Sequence, residues 1–172
     1  MNLGWTQDHG AIAGKVVPLR IPDEKTIPNG PLGAAIRYGK KVLTETRTYA
    51  KGYVGNGLNC SSCHLEAGRK AYASPWVGVW GAFPEYRSRN GRVNALQDRV
   101  NDCFERSMNG KPLPYDSDEM RGILAYIWWL SKDVPTKGVR DRTVSISSRH
   151  FGARDHSTSG PAWLGWATRR AS

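Results

Sequence analysis

Apolar positions along the chain fall into three periodic runs, separated by stretches broken with proline and glycine. The first 31 residues carry Pro18, Pro22, Pro28 and Pro31 among several glycines, which excludes a long helix and predicts an extended arm. From Leu32 to Ala50 proline is absent, and Leu32, Ala35, Ile36, Val42 and Leu43 recur at near-helical spacing, so a helix is predicted there. Gly52 to Asn59 is rich in Gly and Asn and reads as a loop. Residues 65–91 show no period but hold Tyr72, Trp76, Trp80, Phe83 and Tyr86, which predicts irregular chain wrapped over something large and apolar. Val93, Leu96, Val100, Cys103 and Phe104 then recur at intervals of three and four, predicting a second helix from Arg92 to Met108 that Asn109-Gly110 closes. A third helix follows Pro112 and Pro114, capped by Asp116 or Ser117 with Glu119 placed for a capping box. It carries Met120, Ile123, Leu124, Ile127 and Leu130 and runs to about Ser131, ahead of Pro135.

These runs divide 172 residues into an arm (1–31), one domain (32–134) and a tail (135–172). From Gly138 onward the tail has six Arg, no Lys and two Asp, so it contributes four of the chain's net +10. Its lack of any sustained period predicts disorder, and a reading-frame shift would produce the same kind of composition. No run approaches the roughly 18 apolar residues a membrane span needs. The basic balance favours anionic partners, but the basic residues are dispersed and no nucleic-acid-binding motif occurs, so no nucleic acid is expected.

The chemistry lies in the cysteines. Three is an odd count and too few for a disulfide framework. Cys60-Ser61-Ser62-Cys63-His64 is C-x-x-C-H, the attachment pattern of c-type haem. Two thiols at this spacing can add to the two vinyl groups on one side of a porphyrin, and the adjoining imidazole then lies beneath the iron. A thioredoxin-like pair needs a preceding strand, and zinc needs further ligands at short spacing, whereas His9, His150 and His156 lie in the arm and tail. One covalent haem would also supply apolar core to a domain of modest size. Its attachment outside the cytoplasmic membrane predicts a periplasmic protein. Asp8 and His9 interrupt any secretory apolar region at the amino terminus, so the expectation is that Met1 is not the true start or that a leader is missing from the chain.

The iron's sixth ligand is open on the residues alone. Simple c-type cytochromes place a Met-Pro step before the last helix; here that step is Leu113-Pro114. Met108 precedes a helix stop, and Met120 sits on an apolar face where methionine usually packs. Cys103 is the third soft ligand. A lone cysteine is most often a small buried hydrophobe, but Arg99 one turn before it places positive charge beside a thiolate, and Ser107 lies one turn after. Chemistry favours Cys103, with Met108 as the main alternative.

Tyr38 to Val134 resembles the amino-terminal haem domain of the thiosulfate dehydrogenases, periplasmic c-type cytochromes that make tetrathionate. The resemblance rests on Leu58-Asn59-Cys60-x-x-Cys63-His64-Leu65-x-Ala67-Gly68, on Phe83-Pro84-x-Tyr86-Arg87, and on Asn101-x-Cys103-x-Glu105-Arg106-Ser107-Met108-Asn109-Gly110-Lys111-Pro112-Leu113-Pro114. It implies that His64 and Cys103 ligate the catalytic haem iron and that Arg89, Arg99 and Ser107 surround the substrate. Arg87, Arg92 and Arg106 are read as surface. Two-haem members of the family carry a second C-x-x-C-H domain, which this chain lacks, and its tail begins where that domain would start.

The expectation is therefore an all-α, class I cytochrome c-like domain with one covalent haem. Its activity would be oxidation of thiosulfate, or a related small sulfur anion, with electrons passed to an acceptor cytochrome. The alternative is a monohaem electron-transfer cytochrome without catalysis, such as a truncated form of a two-haem enzyme.

Overall fold

A computed structural model describes residues 20–134. The first 19 residues and the tail from 135 onward, including the Gly138–Ser172 stretch expected to be disordered, lie outside the described residues. Beside short 3-10 and π turns, the described elements are five α-helical segments and one short hairpin: α1 (Pro31–Thr44), α2 (Thr46–Tyr49), α3 (Leu65–Gly68), β1 (Glu85–Arg87), β2 (Arg92–Asn94), α4 (Leu96–Asp102) and α5 (Asp118–Ser131). Of the arm, residues 20–30 form one 3-10 turn, Glu24–Thr26, rather than fully extended chain. Glu24 anchors that turn, its carboxylate 2.6 Å from both Lys40 of α1 and Arg69 beyond the haem motif.

The fold is the mostly helical class I cytochrome c arrangement, built on α1 packed across α5. Ile36, Val42, Leu43, Met120, Ile123, Tyr126, Ile127 and Leu130 are all buried at this junction or beside it. The backbones approach so closely that a Cβ on Gly39 would lie 1.8 Å from the Gly122 carbonyl oxygen, so glycine is obligatory at the crossing. Of the two candidate caps, Ser117 caps α5: its hydroxyl oxygen accepts from the Met120 N–H at 3.1 Å. With Ser117 as cap, the third helical residue is Met120, and the capping box expected of Glu119 does not form. The Glu119 carboxylate instead accepts from the Tyr38 hydroxyl at 3.3 Å, tying α5 to α1.

Two predicted helices are shorter than the periodicity suggested. The first is interrupted at Glu45 (φ −127°, ψ 47°), and α2 begins on a new axis. The second does not begin at Arg92. Gly91, with φ 67°, turns the chain, and residues 92–94 pair antiparallel with 85–87, Tyr86 opposite Val93. Val93, placed on a helical stripe by its spacing, is 63% exposed, because strand alternation sends it and Tyr86 to the hairpin's outer face. α4 starts only after Ala95, whose N–H donates to the Asp98 carboxylate at 2.7 Å. It then widens into one π-helical turn, Cys103–Ser107, and Asn109 (φ 48°) and Gly110 end it as expected.

The aromatic stretch also divides. Trp76 enters the core and Phe83 packs against it, whereas Tyr72, Trp80 and Tyr86 face outward at 78%, 42% and 64% exposure.

Candidate haem and thiolate site

The C-x-x-C-H segment folds as a 3-10 turn over Cys60–Ser62. Its entry is set by Thr46, a fully buried residue at the start of α2. The Thr46 hydroxyl accepts from the Cys60 N–H at 3.0 Å and donates to the Leu43 carbonyl at 3.3 Å. Asn59 is held from the same element, its side-chain oxygen accepting from the Arg47 N–H at 3.0 Å. The Glu45 break that shortens the first helix thus creates the platform on which the motif sits. Cys60 is buried, Cys63 is exposed, and neither is in a disulfide. Burial pushes the Cys60 thiol up to about 12. Among the described residues no three His, Cys, Asp or Glu side chains cluster as a metal cage.

After His64 the chain makes a left-handed turn through Glu66, Ala67 and Gly68 (φ 54°, 55° and 74°). Two contacts offset the cost of holding non-glycine residues there. The Tyr126 hydroxyl donates to the Ala67 carbonyl at 3.0 Å, and the Trp76 N–H donates to the Gly68 carbonyl at 2.8 Å. A Cβ on Gly68 would lie 2.1 Å from the Trp76 ring, so the indole requires glycine at this position. Trp76 in turn stacks on the His64 ring, centroids 4.5 Å apart and planes at 29°.

His64 Nδ1 lies 2.5 Å from the Ser74 carbonyl oxygen. A carbonyl only accepts, so Nδ1 carries the proton and Nε2 keeps its lone pair, the tautomer a metal-binding histidine needs. Burial lowers the His64 pKa; the Ser74 carbonyl opposes this, and the positive charge of Arg99 lowers it further. His64 is therefore neutral at pH 7, and Arg99 of α4 stands close enough to act on it. Ser74 aims its carbonyl from a left-handed backbone (φ 51°) directly before Pro75, where extended backbone is the norm.

α4 and the π turn that follows it place Arg99 and Cys103 one helical turn apart. Arg99 Nη1 donates to Cys103 Sγ at 2.9 Å, the contact expected from their spacing. Cys103 is half-buried, at the point where α4 opens into the π turn and the Met108 N–H reaches back to the Cys103 carbonyl at 3.0 Å. The two methionines considered as alternative ligands, Met108 and Met120, are packed in the core at 3% and 0% exposure.

The arginines sort by partner. Arg92 pairs with Asp98 and Arg106 with Asp102, at 3.7 and 3.9 Å, which accounts for them as surface residues. Arg87, Arg89 and Arg99 pair with no carboxylate among the described residues, so pairing does not separate Arg87 from the other two. Arg89 occupies the exposed hairpin turn and makes no hydrogen bond to Cys103 or Arg99. Ser107 is exposed at the end of the π turn; its carbonyl accepts from the Asn56 side chain at 2.9 Å, and its hydroxyl does not touch Cys103 within hydrogen-bond distance. The structure thus brings Arg99 to Cys103 and leaves Arg89 and Ser107 exposed, with no side-chain hydrogen bond to either.

Two further devices hold the C-x-x-C-H segment to the Cys103 segment. The loop before the motif is zipped to the segment after the π turn: Gly55 N–H donates to the Met108 carbonyl at 2.9 Å, and Lys111 N–H donates to the Tyr53 carbonyl at 3.1 Å. Asn101, two residues before Cys103, clasps Leu113 from both sides, accepting from its N–H at 2.9 Å and donating to its carbonyl at 3.0 Å. Leu113 is buried at 1% exposure, so the Leu-Pro step is core and clamp. Thr46 and Ser74 were not anticipated from the sequence: the first carries no local signature, and the second acts through its backbone, with Pro75 as the only hint.

The donor set fits a c-type haem. Two thiols stand at i and i+3, and the adjoining imidazole has Nδ1 occupied and Nε2 free. Fold and motif together define the class, a c-type cytochrome domain. The SoxA/TsdA cytochrome c domain model matches residues 46–136, more than half of the chain, and the chain belongs to that family. It is 47% identical over 117 residues to the thiosulfate dehydrogenase of Psychrobacter arcticus, a match covering 68% of this chain and 36% of that protein. With the thiosulfate dehydrogenase of Allochromatium vinosum it shares 43% identity over 127 residues, covering 72% of this chain and 47% of that one. The solved thiosulfate dehydrogenase (TsdBA) of Marichromatium purpuratum matches with a TM-score of 0.64 and 34% identity, over 67% of this chain and 26% of that chain. The chain therefore spans between about a third and a half of the length of these curated relatives. No helix of the described residues is long and apolar enough to cross a membrane.

Proposed function

We propose that this chain is a haem-thiolate cytochrome domain that oxidises thiosulfate to tetrathionate in the periplasm and passes the electrons to an acceptor cytochrome. The observation that carries this reading is the 2.9 Å bond from Arg99 to Cys103 Sγ, on the helix whose charge also reaches His64. One haem c, attached at Cys60 and Cys63 and ligated by His64 and Cys103, supplies one-electron acceptance when bound.

Arg99 has two tasks. One N–H donates to the sulfur of Cys103 at 2.9 Å and fixes its position. The remaining donors of the planar fork are uncommitted and suit the oxygens of a small dianion. Arg89, also free of any carboxylate partner among the described residues, adds attraction from the hairpin turn, and Ser107 offers a hydroxyl at the rim of the π turn. Joining two thiosulfate ions forms one S–S bond, breaks none and releases two electrons. A single iron accepts one at a time, so turnover by one haem requires an acceptor between the two steps.

The test mixes the haem-loaded protein with thiosulfate and an artificial electron acceptor and measures tetrathionate. Production that Cys103→Ala abolishes and Arg99→Leu depresses at least ~10-fold supports the proposal. Absence of tetrathionate, with an intact haem spectrum, overturns it and leaves the non-catalytic electron carrier.

A further inference from the structure

The histidine of the C-x-x-C-H motif is held at two places, and only one of them is a hydrogen bond. The Ser74 carbonyl fixes His64 Nδ1 at 2.5 Å. A single contact at a ring nitrogen leaves the imidazole able to rock about the line from Cβ to Nδ1, because the last torsion of a histidine side chain has a broad minimum. Trp76 removes that freedom. Its indole is stacked on the imidazole, centroids 4.5 Å apart and planes at 29°, so a rocking ring would strike it.

The indole is anchored independently of His64. It is 7% exposed and fills the space that a Gly68 side chain would need, 2.1 Å from where the Cβ would stand. Tyr126 borders it edge-on, ring centroids 6.4 Å apart and planes at 86°. Its backbone is tied on both sides. The Trp76 N–H donates to the Gly68 carbonyl at 2.8 Å, and the Trp76 carbonyl accepts from the Val79 N–H at 3.1 Å and from the Ser131 hydroxyl at 3.4 Å. Tyr126 and Ser131 both belong to α5, so Trp76 carries the position of the domain's longest-buried helix to the face of one imidazole. That imidazole is the one whose Nε2 is free to bind a metal.

We propose that Trp76 is a positioning residue for His64: its indole fixes the plane of the imidazole, and with it the direction in which Nε2 presents its lone pair to the haem iron. This rests on His64 as an iron ligand of a covalently attached haem. It is independent of the sixth ligand and of thiosulfate oxidation.

The plane of an axial imidazole decides which iron d orbitals it meets. A ring held in one orientation therefore gives one narrow set of low-spin ferric g values in electron paramagnetic resonance, and a rocking ring gives a broadened or split set. The experiment uses the haem-loaded full chain, its covalent haem verified by the pyridine haemochrome spectrum, and compares wild type, Trp76→Leu and Trp76→Phe. The expected result is a broadened or split set in Trp76→Leu and a narrow set in Trp76→Phe, which returns a flat ring to the stack. Packing alone would lower stability in both variants and leave the g values in place. A second measurement needs no variant. In the reduced wild type with carbon monoxide bound, which is diamagnetic, nuclear Overhauser contacts should join the Trp76 indole protons to His64 ring protons that carry the upfield shift of an iron-bound histidine. An unchanged set of g values in Trp76→Leu, or upfield-shifted His64 protons without contacts to Trp76, overturns the proposal and leaves ligation by His64 standing. A chain without covalent haem, or with unshifted His64 ring protons, overturns the ligand reading and this assignment together.

Discussion

Asn101→Asp tests the clamp beneath Cys103 with a change of one atom. The replacement keeps shape and one acceptor, so the Leu113 N–H retains its 2.9 Å bond, but the donor 3.0 Å from the Leu113 carbonyl becomes an oxygen. Both residues are buried, at 6% and 1% exposure, so water does not substitute. Leaving that carbonyl unpaired costs about 1–3 kcal/mol, and holding a carboxylate against it costs more. A deficit of about 3 kcal/mol at pH 7 corresponds to raising the introduced carboxyl from about 3.9 in the unfolded chain to about 6 in the folded one. The sign follows from that direction. A raised acid is fully protonated in the folded state at low pH, where its O–H donates to the Leu113 carbonyl in place of the lost amide. The variant therefore lies within about 1 kcal/mol of wild type near pH 4, loses ground between about pH 4 and 6, and is flat above. Urea unfolding of the haem-loaded protein, followed by far-ultraviolet circular dichroism at several pH values, reads the difference. Asn101→Ala is the control, with a deficit that does not vary with pH. If Asn101→Asp matches wild type at pH 7, or its deficit is the same at pH 4 and pH 8, the clamp does not bear on stability as argued.

Gly39→Ala should lower stability by about 3 kcal/mol or more in the same unfolding assay, because its Cβ would lie 1.8 Å from the Gly122 carbonyl and α1 must lift off α5; a loss under about 1 kcal/mol would contradict that crossing. Thr46→Val deletes the buried acceptor of the Cys60 N–H and should cost about 1–3 kcal/mol and reduce the yield of covalent haem, while Thr46→Ser retains both; equal yields for Val and Ser would remove Thr46 from the attachment platform. Tyr115→Phe should destabilise the protein at neutral pH, since the Tyr115 hydroxyl donates to Asp98 and is the first cause of its lowered pKa. A depressed carboxyl stabilises the fold above its unfolded pKa and loses that contribution as pH falls through the folded value. The gap between Tyr115→Phe and wild type should accordingly shrink on the acid side of pH 4, and a gap that widens there would refute the assignment.

What could be read from the sequence was whatever a contiguous stretch decides. α5 was legible because one run holds its cap candidates, its apolar face and the proline beyond it; the error concerned Glu119, whose carboxylate is claimed by Tyr38, 81 positions away. The hairpin was not legible because Val93, Leu96 and Val100 repeat at three and four whether the first of them is strand or helix. The signal that separates the cases, Asp98 capturing the Ala95 N–H behind a left-handed Gly91, lies in polar residues that periodicity ignores. The site divides the same way. C-x-x-C-H and the Arg99–Cys103 pair lie within one turn of chain, and their spacing alone brings them together. The parts that aim these groups come from elsewhere: Thr46 on α2, the Ser74 carbonyl before Pro75, and Tyr126 holding the left-handed turn after His64. Asn101 is the instructive case, because its place in the Asn101-x-Cys103 motif marked it as part of the signature without saying why. Its two bonds to Leu113 supply the reason. Where simple c-type cytochromes place a methionine, this chain places a buried leucine that anchors the helix end carrying Cys103.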